Sequence, residues 1–102
     1  MAMLVALYGM PDDPVAFDQY YYRTHVPIAK RVPGLRNYQV TRGPILTPDG
    51  PSAWHVVAML TFDSLQAVQA ALASPEGQAT AADLQNFATG GVQLLIADTA
   101  AI

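Results

Sequence analysis

The stretch Phe17-Asp18-Gln19-Tyr20-Tyr21-Tyr22-Arg23-Thr24-His25-Val26-Pro27 decides how the rest of the chain is read. It has the pattern of the second half of a helix followed by a stop. Asp13 is the expected N-cap, with Pro14 at the first helical position, where its missing N–H costs nothing. Pro27 predicts an end near Val26, because its ring disfavours helical geometry at the residue before it. Phe17, Tyr21, His25 and Ile28 recur at steps of four and three, so they share one face. Tyr20 and Thr24 flank that face, and Tyr22 sits beside His25 through the i, i+3 step. An imidazole among phenols is chemistry that few other places in the chain offer.

Outward from this helix, residues 2–9 form a continuous apolar run closed by Gly9 and Pro11, which predicts a short strand buried on both faces. Beyond the Pro33-Gly34 turn, Leu35 to Thr41 is the most polar strand candidate and belongs at a sheet edge. Residues 43–51 read as a long hairpin connection turning at Pro48-Asp49-Gly50. Trp54 to Phe62 alternates with apolar residues on both faces, Trp54 and Val56 on one, His55, Val57 and Met59 on the other, so it reads as a central strand. Asp63-Ser64-Leu65-Gln66 has the shape of a capping box, with Leu65, Val68 and Leu72 as the buried stripe. Ser74-Pro75-Glu76 restarts the helix, Leu84 and Phe87 anchor it, and Val92 to Ile96 is the last strand. The order is βαββαβ, an α+β, ferredoxin-like fold with a four-stranded antiparallel sheet, its first and third strands in the centre.

With 102 residues, the chain suits one domain, residues 1–102. Its residues are 52% hydrophobic and only 13% charged, about half the usual charged share. Helices can cover one face of such a sheet, and the other is as oily, so a second copy of the chain packed face to face is expected to cover it. A net charge of −3 and a pI near 4.9 exclude a phosphate-binding stripe, so no nucleic acid partner is expected. There is no cysteine, which is compatible with the reducing cytoplasm in which we expect the protein. The apolar N-terminus lacks a positive leader and is too short to span a bilayer, so no membrane association is expected. Two histidines far apart in sequence, with no Glu-x-x-His spacing, argue against a metal site, and no glycine-rich phosphate loop is present. No cofactor is expected.

Several residues together carry a resemblance to a known family. Phe17, Tyr20, Tyr21, His25 and Pro27, the turn Val32-Pro33-Gly34-Leu35-Arg36, and the segment from Ala82 to Val92 resemble the EthD family, named for ethyl tert-butyl ether degradation, within the dimeric α+β barrel superfamily. The likeness runs through nearly the whole chain in order. It implies a homodimer whose two sheets close one barrel with the helices outside, and a small organic ligand in a cleft between each sheet and its helices. Relatives in the superfamily include cyclases, quinol-forming monooxygenases and decarboxylases working without metal or haem, and also haem-binding members. The EthD branch itself has no generally assigned reaction, so the likeness speaks to fold before activity.

His25 is the sharpest catalytic candidate, since an imidazole exchanges protons near neutral pH. Tyr21 or Tyr22 would orient it or donate to a developing oxyanion. The competing reading is a histidine satisfying helix-end carbonyls. Phe17, Trp54, His55 and Phe87 are the candidate ligand-binding residues, with a paired core or interface role as the alternative for His55. The three consecutive tyrosines spread over about 200° of a helix, so they cannot all face one cavity. Asp83, Asn86 and Thr89 have two readings, ligand contacts or turn and cap formers, of which the second is the simpler. Two functions follow. One is a cofactor-independent enzyme, an isomerase, cyclase, lyase or monooxygenase-like catalyst acting on a small apolar or aromatic oxygenated compound. The other is a non-catalytic binding or accessory protein of a degradation pathway.

Overall fold

A computed structural model describes residues 1–102. The elements run β1 Ala2–Gly9, α1 Pro14–Tyr20, a π-helical turn Tyr21–His25, α2 Val26–Ala29, β2 Asn37–Val40, β3 Leu46–Thr47, β4 Gly50–Pro51, β5 Trp54–Phe62, α3 Leu65–Ala73, α4 Pro75–Asp83, a 3-10 turn Leu84–Asn86, and β6 Val92–Asp98. The four long strands form one antiparallel sheet in the order β2-β5-β1-β6. This is the ferredoxin-like arrangement read from the sequence, with the two most apolar strands central and the polar β2 at an edge. The small β3–β4 hairpin turns at Pro48 and Asp49 and is the connection between β2 and β5.

The caps explain where helices begin. Asp13 accepts a hydrogen bond from the Ala16 amide, and Pro14 follows it into the first turn. Ser64 and Ser74 accept from Ala67 and Gly77 in the same way. The second helix thus starts one residue later than a box opened by Asp63 would. Asp63 is drawn away by a two-pronged ion pair with Arg36. The buried stripe of α3 is Val68 and Ala71, whereas Leu65 is exposed. Small residues are needed there because α3 and α4 meet at backbone distance: a Cβ on Gly77 would collide with the Ala71 carbonyl.

Helix one does not stop at Val26. The Val26 amide donates to the Tyr21 carbonyl, five residues back, and helical geometry continues to Ala29. In an ordinary helix the Pro27 ring would press on the carbonyl four residues earlier and leave it without a donor. One wide turn relieves that conflict, and π turns of this kind occur mostly as single insertions in α-helices.

The sheet has two unlike faces. Ala2, Ala6 and Tyr8 of β1, with Val56, Ala58, Leu60 and Phe62 of β5, pack under the helices and form the core with Phe17, Tyr21, Val68 and Phe87. Met3, Val5 and Leu7 pair across to Thr61, Met59 and Val57 on the other face, and all are only partly buried in the single chain. The expectation that β1 is covered on both faces is therefore met on one face by a single subunit.

Candidate functional site

The wide turn decides the site. In an α-helix, residues five apart point about 140° away from each other. Here Tyr20 and His25 converge on one carboxylate, that of Asp83 at the end of α4. The Tyr20 hydroxyl donates to Asp83 Oδ1 at 2.6 Å, and His25 Nδ1 lies 2.9 Å from Oδ2. The Asn86 side-chain amide donates to Oδ1 at 3.0 Å. His25 and Asp83 are 3% and 7% exposed, so the centre of the network is buried, with Tyr20 and Asn86 reaching it from a more exposed rim, and every sealed polar side chain is paired. The Phe87 ring closes it, 4.6 Å from the imidazole, centre to centre.

Burial would raise the Asp83 carboxyl, but the bonds from Tyr20, Asn86 and His25 outweigh it and hold it below its ordinary value. Burial lowers the imidazole of His25, with Asp83 pulling the other way. The pair is thus a carboxylate and a neutral imidazole. An ionised carboxylate only accepts, so the proton sits on Nδ1 and donates to Asp83. Nε2 carries the lone pair. It makes no hydrogen bond within the chain and is not sealed from solvent-sized space.

A cavity of about 60 Å³ lies between the sheet and the helices, with His25, Tyr8, Tyr21 and Tyr38 in a lining that is otherwise almost entirely apolar. The Tyr21 and Tyr38 hydroxyls are hydrogen-bonded to each other at 2.7 Å. Burial pushes the Tyr8 and Tyr21 phenols far up and Tyr38 in the same direction, so all three are neutral donors at any physiological pH. An apolar hollow with a few convergent polar groups is the usual form of a small-molecule site.

The structure brings His25 and Tyr21 together, as the helical spacing predicts. Tyr22 is not at the imidazole. It is 52% exposed and faces a groove on the other side of Tyr21, where Trp54 and His55 also lie. Phe17 and Phe87 are buried rings packed behind Tyr21 and His25, not part of the cavity lining. His55 reaches the helix side of the sheet because a bulge between Tyr8 and Gly9 skips it in the strand register, a common way to re-aim one side chain. It packs edge-on against Phe17, and its Nε2 holds Asp18 Oδ1 at 2.9 Å. Tyr20 and Tyr38 are not marked as site residues by the sequence pattern, and Asp83 and Asn86 read there more simply as turn and cap formers than as ligand contacts. Asp83 did carry a signal: an acid at the end of a helix opposes the macrodipole and needs a partner. No group of three or more His, Asp or Glu side chains is gathered so as to hold a metal ion.

The model of the EthD domain matches residues 11–91, a span that contains His25, Asp83 and all their hydrogen-bond partners. The chain belongs to the EthD family. It is 40% identical over 98 residues, 96% of this chain and 94% of the other, to a Rhodococcus erythropolis protein described as an uncharacterized 11.0 kDa protein in the thcB-thcC intergenic region. It superimposes with a TM-score of 0.90 on an EthD family protein from Bacillus halodurans, at 35% identity over 98% of this chain and 99% of that one. SnoaB of Streptomyces nogalater, a cofactor-independent oxygenase, shares the fold at a TM-score of 0.67 and 19% identity, over 99% and 94% of the two chains. In this EthD chain no helix is long and apolar enough to cross a membrane.

Proposed function

We propose that this EthD protein binds a small apolar or aromatic oxygenated compound in the cavity between sheet and helices and transforms it by acid–base chemistry at His25. The observation that carries the reading is the buried His25–Asp83 pair, which holds the proton on Nδ1 and leaves Nε2 without a partner on a residue that lines the hollow with three phenols. Nε2 takes a proton from the substrate, Asp83 steadies the imidazolium that results, and the Tyr21–Tyr38 hydroxyl pair donates to the oxygen where charge develops. Isomerisation, cyclisation, dehydration and oxygen insertion on an activated phenol all begin with such a step. The likeness to SnoaB supports the idea that the side chains alone suffice.

The cavity is small. At about 60 Å³ it holds a few water molecules, each needing roughly 10–15 Å³ by the same measure, so a substrate must displace a wall. Leu72, Leu84 and Leu94 are the large side chains of that wall that lie partly or largely open to solvent. A second reading is a non-catalytic carrier or accessory protein that uses the cavity for binding alone, with the same displacement of the wall. A screen of phenols, quinols and short oxygenates, with thermal shift for binding and product analysis for turnover, separates the two. Turnover that falls about 10²-fold or more in His25→Gln supports catalysis. Binding without turnover supports the carrier, and unchanged turnover in the variant ends the acid–base role.

We further propose that the open sheet face is covered by a second copy, closing a barrel, in the cytoplasm. Support comes from Val5, Leu7, Val57, Met59 and Leu95, which lie together there on paired positions of three strands, the first four only partly buried and Leu95 half-exposed. Sedimentation at micromolar concentration is expected to show twice 10.9 kDa, and Val5→Lys is expected to shift it to the monomer. A wild-type monomer would contradict the pairing.

A further inference from the structure

The groove beyond Tyr22 is separate from the His25 cavity and about ten times larger, about 590 Å³ against about 60 Å³. It lies within the size range of sites for drug-sized ligands, about 300–1,000 Å³. Its walls come from α1, from the segment after β2, from the β3–β4 hairpin and from the start of β5. We propose that it is a second binding site, for a flat aromatic compound carrying one carboxylate.

Four features point to that ligand. Tyr22 is half-exposed, unlike its neighbour Tyr21, which is 1% exposed, and it shares the groove with Trp54, the only tryptophan of the chain. Two such side chains on one hollow are walls for a ring. Arg42 is exposed on the groove and takes part in no ion pair, since the chain's pairs are His25–Asp83, Arg36–Asp63 and His55–Asp18. A free guanidinium recognises a carboxylate through two parallel hydrogen bonds. The one acid on the groove wall, Asp18, has Oδ1 engaged by His55 Nε2 and makes no ion pair with Arg42. The strand bulge puts His55 there at the expense of regular pairing, and its Nδ1 has no partner within the chain, leaving a polar contact for a ring substituent.

Because Trp54 is the only tryptophan, its emission reports on this groove alone. The probes are 4-ethylbenzoate and its neutral counterpart 4-ethylbenzyl alcohol, titrated to about 10 mM, where affinities near 1 mM are still measurable. A saturable change with the carboxylate, and binding of the alcohol at least about tenfold weaker, are expected. Arg42→Gln should weaken the carboxylate about tenfold and leave the alcohol within about twofold, while Tyr22→Ala weakens both. Both side chains are exposed, so neither variant threatens the fold. His25→Gln should leave this titration unchanged. No saturable change, equal binding of acid and alcohol, an Arg42→Gln variant that binds like the wild type, or loss of binding in His25→Gln would each overturn the proposal.

Discussion

Two histidines in this chain each hold an aspartate at 2.9 Å, and they do so under opposite conditions. In the inner pair the side chains of His25 and Asp83 are 4% and 7% exposed; in the outer pair those of His55 and Asp18 are 16% and 52% exposed. The inner carboxylate also receives Tyr20 and Asn86, whereas the outer one accepts from His55 alone and is otherwise open to solvent. Equal distances therefore do not mean equal chemistry. Burial fixes a tautomer and keeps a neutral base poised in the first pair. In the second the same contact is a surface tie between β5 and α1, screened by solvent and salt.

The largest effect is expected at the inner imidazole, where His25→Gln should lower turnover about 10²-fold or more, measured as kcat on whichever substrate the screen yields. Next, Asp83→Asn should cost about 2–3 kcal/mol in urea unfolding. An amide presents only one acceptor oxygen, so with Oδ1 kept by Tyr20 and Asn86 its N–H faces His25 Nδ1, a clash relieved only by moving the imidazole proton to Nε2. The pH profile sharpens the contrast. Burial lowers His25 in the folded state, so the unfolded chain takes up that proton first. The contribution of His25 to stability is then complete above pH of about 6.5 and declines as pH falls toward the folded value. Asp83 is held low, so its contribution persists to more acid pH and is lost only as pH falls through its own folded value. Thermal unfolding of wild type and His25→Gln between pH 7 and 5, about the range in which an ordinary imidazole titrates, should show the wild type losing stability more steeply. The smallest effect is expected at the outer pair: Asp18→Asn should change stability by less than about 1 kcal/mol, and less again in high salt.

The fold was legible because its signals are local. Asp13-Pro14 and Ser74-Pro75 announce helix starts, and the oily runs of β1 and β5 announce central strands. The site was only half legible. Tyr21 and His25 share a face at the ordinary four-residue step, but Tyr20 joins His25 only through the π turn, which has no periodicity of its own to read. Pro27, taken alone, predicts a stop, and only the tertiary structure shows the helix widening to pass it. Asp83 lies 58 residues from His25, and within its own segment it looks like a cap. Likewise, His55 alternates with Val57 and Met59 in the sequence, and a one-residue bulge moves it to the other face. Long-range pairing and backbone irregularity, the two features that make the site, leave little trace in local pattern.

All of this chemistry requires His25 to be a neutral imidazole with its proton on Nδ1, held by Asp83, and a free lone pair on Nε2. Nitrogen-15 NMR of the imidazole as a function of pH reads this directly. A protonated Nδ1 and an unprotonated Nε2 are expected at neutral pH, with a titration midpoint below that of an ordinary histidine. A ring protonated on both nitrogens at neutral pH, or protonated on Nε2 alone, would contradict it.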